Sequence, residues 1–219
     1  MKEPEGVIKY HLNHQNAPIA KRLSISEINA WRTVFFKLGL IGQYAERYEG
    51  YGFGNISQRI TLTNTNKVQF IISGTQTGHL ESLSRHHYCS IQEACTQENK
   101  INSIGETKPS SEALTHASIY QQSKEIQSVI HVHCPKIWNN THPLKIPYTS
   151  KDIAYGTPEM AHEVKRLFLS SIKENTAIFS MLGHEDGIIA FSNSMEKAAG
   201  ALIKLFSCAI ALEQNKQQR

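Results

Sequence analysis

The chain has 219 residues, 40% of them apolar, and 23 lysines and arginines against 19 acids, a formal charge of +4. That length suits one α/β domain whose core needs neither disulfides nor a structural metal. No run of like charges and no apolar stretch of 18 residues occurs, which argues against a nucleic-acid partner, a membrane partner and global disorder.

Residues 1–23 show little periodicity and read as a lead-in segment; a domain over 24–214 and a polar tail over 215–219 complete the expected organisation. The first fifteen residues lack an apolar signal core. The four cysteines form no CxxC pair, so free thiols in a reducing cytoplasm are expected.

Ser24 to Glu27 fits a capping box, and Ile28, Trp31, Val34, Phe35 and Leu38 continue at helical spacing to about Leu40. Residues 48–55 (YEGYGFGN) form a glycine-rich loop. Strands over 56–60 and 68–72, joined by the polar turn 63–67, predict a hairpin. A second glycine-bearing loop covers 73–78. A helix is expected from Ser110 to about Gln122, behind Pro109. Residues 128–133 alternate like a strand. Thr157 with Pro158 opens a helix to about Ile172. Strands over 176–182 and 187–191 flank the turn 183–186, and Ser194 caps a last helix through Leu212. Several strands are hairpin neighbours, which predicts a mixed, largely antiparallel sheet covered by helices.

Eleven histidines are the unusual entry in the composition. His131 and His133 are two apart on a strand, so both rings project from one face. Two neutral imidazoles side by side suit an ion of the zinc type, which also needs further ligands. His184 lies in a tight turn at a sheet end, and Glu112 opens a helix; each is a candidate ligand, and Glu112 a candidate acid/base group. Cys134 would point away from the histidine pair. Asn55, Ser73, Gly74, Ser110 and Ser111 combine loop amides, small hydroxyls and a helix start, a combination that cradles anions such as phosphate. His11, His14, His86, His87, His116 and His162 carry structural or surface readings.

Taken in order, GNIS (54–57), ISGTQTGHL (72–80), PSSEALTH (109–116), VIHVH (129–133), YGTPEMAHEV (155–164) and LGHEDGIIAF (182–191) resemble the class II aldolase/adducin family over roughly residues 25–212. The resemblance implies a three-layer α/β/α domain around a largely antiparallel sheet, assembled as a homotetramer with sites at subunit interfaces. It implies that His131, His133 and His184 bind a divalent ion, usually zinc. Glu112 would be the fourth ligand and, once displaced by substrate, the acid/base. It also implies that Asn55, Ser73, Gly74, Ser110 and Ser111 hold the phosphate of a small sugar phosphate or related carbonyl compound. The implied function is a lyase in which a Lewis-acid metal stabilises an enediolate. An epimerase or dehydratase of the same family, or a non-catalytic adducin-like interaction module, is the alternative. One departure stands out. The family's tyrosine proton donors have no counterpart by motif: 134–147 holds no tyrosine, Tyr148 and Tyr155 lie beyond it, and none follows Tyr155. His79 and His142 are other candidate donors.

Overall fold

The computed structural model describes residues 6–60, 67–172, 174 and 176–218. Elements follow in chain order: β1 (His11–Asn16), α1 (Ser26–Lys37), β2 (Asn55–Arg59), β3 (Phe70–Ser73), β4 (Tyr88–Cys95), β5 (Lys100–Gly105), α2 (Ala113–Gln122), β6 (Ser128–His133), α3 (Pro135–Trp138), β7 (Tyr148–Thr149), α4 (Pro158–Ser170), β8 (Ala177–Met181), β9 (Gly187–Ser192) and α5 (Met195–Gln217). The strands form one sheet in the order β1-β5-β4-β3-β2-β6-β9-β8-β7. Its edge pairs, β1·β5 and β7·β8, are parallel, and the interior pairs are antiparallel.

Helices cover both faces. Alternation along the central strands sends Val129, Ile189 and Phe191 to the core shared with α2 and α4, while Ile130, Val132, Ile188 and Ala190 enter the core shared with α1, α3 and α5. Every residue of β6 and of β9 is buried, as a strand covered on both faces requires. The architecture is therefore the expected single α/β/α domain with a mixed, mostly antiparallel sheet.

Local expectations hold where side chains close a cap. The Thr157 hydroxyl accepts from the Met160 N–H, with Pro158 opening α4. The Ser194 hydroxyl accepts likewise from Lys197. The capping box at Ser24–Glu27 does not form. The N-cap of α1 is Ile25, and the Ser24 hydroxyl instead accepts from the Ser26 N–H, a turn two residues long. This helix also stops at Lys37, where Gly39, at φ 68°, turns the chain back. The helix expected from Ser110 begins at Ala113, with Glu112 as its N-cap. α5 continues past Leu212 into the polar tail.

Several strands had no counterpart in the sequence reading. The lead-in segment contains β1, which gains its order from the ladder to β5 and not from its own pattern. β4 and β5 form an antiparallel hairpin interrupted by a bulge between Ile91 and Glu93, and the bulge breaks the period that would have marked it. β7 is two residues long. β2 and β3 pair antiparallel as expected; of the expected turn between them, residues 63–66 lie outside the described residues.

Candidate metal and anion site

Site residues cluster on the α2/α4 face of the sheet. His131 and His133 share the face of Val129, because residues two apart on a strand project together. Asn55 of β2 stands directly opposite His131 in the ladder. The turn after β8 brings His184 alongside: its N–H donates to Met181 O, and its O accepts from the Gly187 N–H. Gly187 leaves room for the ring, since a Cβ there would lie 3.2 Å from it. The ring centres of His131 and His184 are 5.1 Å apart, and those of His133 and His184 4.7 Å. One nitrogen from each of the three histidines falls within 4.8 Å of the others.

Glu112 faces this cluster from the start of α2, 1% exposed. Its Oε1 is 3.0 Å from Nδ1 of His184 and 3.6 Å from Nε2 of His131. Neither carboxylate oxygen has a hydrogen bond of good geometry. Burial pushes the Glu112 carboxyl up, but the positive charge it sees at His131 and His184 outweighs that, and its pKa falls to about 2. His133 is driven well below the ordinary imidazole value, first by burial and then by the neighbouring cations His184, His131 and Arg47. A carboxylate held charged in a buried site, beside three imidazoles of which His133 is held neutral, could serve as donors to a divalent ion of the zinc type.

The anion residues meet at Ser110 and Ser111, the two residues directly ahead of Glu112. A cleft is lined by Asn55, Gly74, Ser110 and Ser111, as expected, and by Gly6, Gly52, Gly54 and residues 75–78. Oδ1 of Asn55 is buried without a hydrogen-bond partner. Ser73 does not line this cleft: its hydroxyl accepts from the Ile56 N–H and ties β3 to β2. Five glycines let three loops converge. The tightest contact among them is at Gly78, where a Cβ would lie 2.3 Å from Gly42 O and 2.9 Å from the Gly52 Cα. Both neighbours are backbone and cannot step aside. Gly78→Ala is therefore expected to destabilise the protein by about 1–3 kcal/mol in urea denaturation; an unchanged midpoint would contradict the geometry.

Behind Glu112, residues four apart on α2 face β2. Nδ1 of His116 lies 2.7 Å from the Ser57 hydroxyl, which lies 2.9 Å from the Tyr120 hydroxyl. His116 is fully buried and its Nε2 has no hydrogen-bond partner. Sequence reasoning gave this histidine no role; its spacing of four from Glu112 was the available signal.

Two tyrosines also reach the cluster: Tyr155, set aside by its motif position, and Tyr48, which had no assigned role. The Tyr155 ring stacks on His184 with centres 4.5 Å apart. The Tyr48 ring meets His133 edge-on at 4.6 Å. The Tyr48 hydroxyl donates to Oδ2 of Asp186 at 2.6 Å and accepts from Nη2 of Arg47 at 2.7 Å. Tyr48, Glu49 and Asp186 all take positive φ, 49°, 57° and 62°. Such non-glycine backbone costs about 1–2 kcal/mol per residue, and the hydrogen bonds across the two turns hold it. Tyr148 is exposed on the edge strand β7, with its ring against that of His142. Cys134 packs in the core on the opposite sheet face, away from the histidine pair as expected.

A layered α/β domain with three imidazoles and a carboxylate converging beside a glycine-lined cleft is an arrangement that could hold one divalent ion and one anion. The sequence profile of the Class II Aldolase and Adducin N-terminal domain matches residues 43–211; the chain belongs to this family. Among solved structures, it is similar to the sugar-phosphate aldolase from Thermotoga maritima (16% identity, 89% of this chain and 95% of that one, TM-score 0.65). It is also similar to the L-fuculose-1-phosphate aldolase from Thermus thermophilus (18%, 88% and 94%, 0.61). A third similar structure is YgbL from Escherichia coli, described as a putative aldolase/epimerase/decarboxylase (15%, 84% and 86%, 0.61). Among curated proteins, none matches the chain. No helix among the described residues is long and apolar enough to cross a membrane.

Proposed function

We propose that this chain is a metal-dependent, aldolase-type lyase acting on a small sugar phosphate or a related carbonyl compound. One observation carries the reading. Ser110, Ser111 and Glu112 are consecutive, and they join a glycine-lined anion cleft to a buried cluster of three imidazoles and a carboxylate. His131, His133, His184 and Glu112 would hold the ion, with zinc expected from the nitrogen-rich donor set. When bound, the ion supplies a Lewis acid that polarises the substrate carbonyl.

The chain's own residues do the rest. Asn55, Gly74, Ser110 and Ser111 bind the phosphate and thereby set which carbon faces Glu112. Ser73 acts on this cleft only through the strand pairing it fixes. Glu112, charged and close to His184, takes the proton from the carbon next to the carbonyl. The buried walls, including Tyr155 and Tyr48, keep water from the reacting carbon.

An epimerase or dehydratase of the same family is the second reading. It is favoured by Tyr48, whose hydroxyl is committed to Asp186 and is not aimed as a donor to a leaving aldehyde. A non-catalytic, adducin-like module is disfavoured by the complete donor set. Assembly as a homotetramer and a cytoplasmic location belong to the same proposal.

Zinc-loaded protein, screened against phosphorylated ketoses and their acids, tests the reading. Glu112→Gln should lower turnover about 10²- to 10⁴-fold while the protein stays folded. Turnover indifferent to Glu112 would remove the proposed base. A wild-type protein that takes up no divalent ion would remove the whole mechanism.

A further inference from the structure

Residues 6–16 lie ahead of the matched family span. The ladder to β5 accounts for His11–Asn16. The Lys9 carbonyl accepts from Nδ2 of Asn99 at the end of that ladder, and the Tyr10 ring packs in the core, but neither accounts for the three points at which Gly6 to Tyr10 touch the site. Gly6, turning at φ 76°, lines the anion cleft. The Val7 N–H donates to the Tyr155 hydroxyl at 3.2 Å, and the Lys9 Nζ stands 3.9 Å from the centre of the Tyr155 ring. The Tyr10 hydroxyl donates to the Ser110 carbonyl at 2.8 Å.

Each contact lands on a group already placed in the site. The peptide unit is planar, so fixing the Ser110 carbonyl also fixes the direction of the Ser111 N–H. Tyr155 stacks on His184. Its neighbour Gly156, at φ 67°, packs so closely on Ser111 that a Cβ there would lie 2.9 Å from Ser111 O. The Tyr155–Gly156 step thus bridges the histidine cluster and the anion cleft, and Lys9 places its charge on that bridge. An edge strand alone needs none of these contacts.

We infer that residues 6–10 form a wall of the substrate site, in which Lys9 supplies positive charge and Tyr10 fixes Ser110 for a phosphate monoester bound in the glycine-lined cleft. The inference rests on the phosphate assignment proposed above. It gives this chain a substrate-binding element that lies outside the matched domain.

Inorganic phosphate is the probe, titrated calorimetrically into zinc-loaded, full-length protein. Lys9→Gln is expected to weaken phosphate binding about tenfold, the scale on which charge in a cleft concentrates an anion. Tyr10→Phe should weaken it as well, and Lys204→Gln, exposed on α5, should not. Trypsin cleavage after Lys9 gives an independent readout on the unaltered chain. If the arm closes on the anion, phosphate at ten times its Kd should slow that cut about tenfold. Phosphate binding that is indifferent to both arm variants, with no protection at Lys9, overturns the inference and leaves the cleft assignment standing. A wild-type protein that holds zinc but binds no phosphate overturns the inference and the cleft assignment together.

Discussion

His131→Ala is expected to weaken zinc binding about 10²- to 10³-fold. Structural zinc sites with four protein ligands are worth about 10–16 kcal/mol, so one ligand carries about 2.5–4 kcal/mol. His131 is fully buried and its Nε2 lies 3.1 Å from that of His133. Two imidazoles so close in a water-excluded site repel if both are charged, and a shared cation lets both nitrogens act as neutral donors. Metal-free protein should therefore tolerate the substitution better than metal-loaded protein does. At zinc a thousandfold above its Kd, the wild type gains about 4 kcal/mol of stability, or about 8–16 °C in Tm for a chain of this size. At the same zinc concentration the variant should keep about 0.4–1.4 kcal/mol of that gain. Metal analysis after gel filtration and thermal melts with and without zinc check both numbers. Equal stoichiometry and an equal Tm gain in the variant would mean that His131 is not a ligand.

The histidine cluster with Glu112 was legible in the sequence because its signals are local. His131 and His133 announce a shared face through their spacing, and His184 announces a tight turn through the glycines on either side of it. Glu112 is legible through the two serines ahead of it. β6 was legible as a strand from its β-branched content and alternation, and α4 and α5 were legible from their caps. What remained hidden depends on pairing between distant segments. β1 has no pattern of its own and becomes a strand only because β5 offers it an edge. Tyr48 reaches Asp186 across 138 residues, and no motif in either turn records the other. Ser73 was grouped with the anion residues from its place at a strand end and from the resemblance, and its hydroxyl accepts from the Ile56 N–H across the β2·β3 pair. The resemblance carried the function further than the residues could, and the missing tyrosine marks where it stopped. Of the rings nearest the histidines, Tyr155 opens a quoted motif but was set aside as a donor, and Tyr48 lies in a loop outside the quoted motifs.

Acid should destabilise the metal-free protein well before its carboxylates titrate, and His116 is the residue that shows why. Its proton can be placed by the charge beside it, since either arrangement leaves one buried hydrogen unpaired. Tyr120, Ser57 and Nδ1 of His116 form a line of three groups. If Nδ1 carried the hydrogen, Ser57 would accept it and donate to Tyr120, and the buried phenol hydrogen would have no acceptor. If instead Tyr120 donates to Ser57 and Ser57 to Nδ1, both hydroxyl hydrogens are used, and the remaining N–H sits on Nε2. That puts the one unpaired hydrogen of the line on Nε2, on a ring that feels the Glu112 charge, which favours a neutral donor there over an unpaired phenol hydrogen. A second proton on the ring would break this line. Burial accordingly lowers the His116 pKa from 6.5 to about 3, although Glu112 pulls the other way. As pH falls through 6.5 the unfolded chain takes up a proton that the folded chain refuses until about pH 3. The stability owed to the neutral ring is thus complete above pH 6.5 and is lost progressively below it. At pH 5 the loss from His116 alone is about 2 kcal/mol. His133, lowered in the same direction, adds to it. Glu112, held at about 2, joins only below its ordinary value of 4.5. Urea denaturation of the protein after chelation, at about pH 7 and pH 5, measures the sum, and His116→Gln isolates one share. The glutamine can still accept from Ser57 but cannot titrate, so the variant should lose about 2 kcal/mol less than the wild type over the same interval. Identical losses in the two proteins would show that His116 is already charged in the folded state, and the hydrogen-bond line behind Glu112 would then run in the opposite direction.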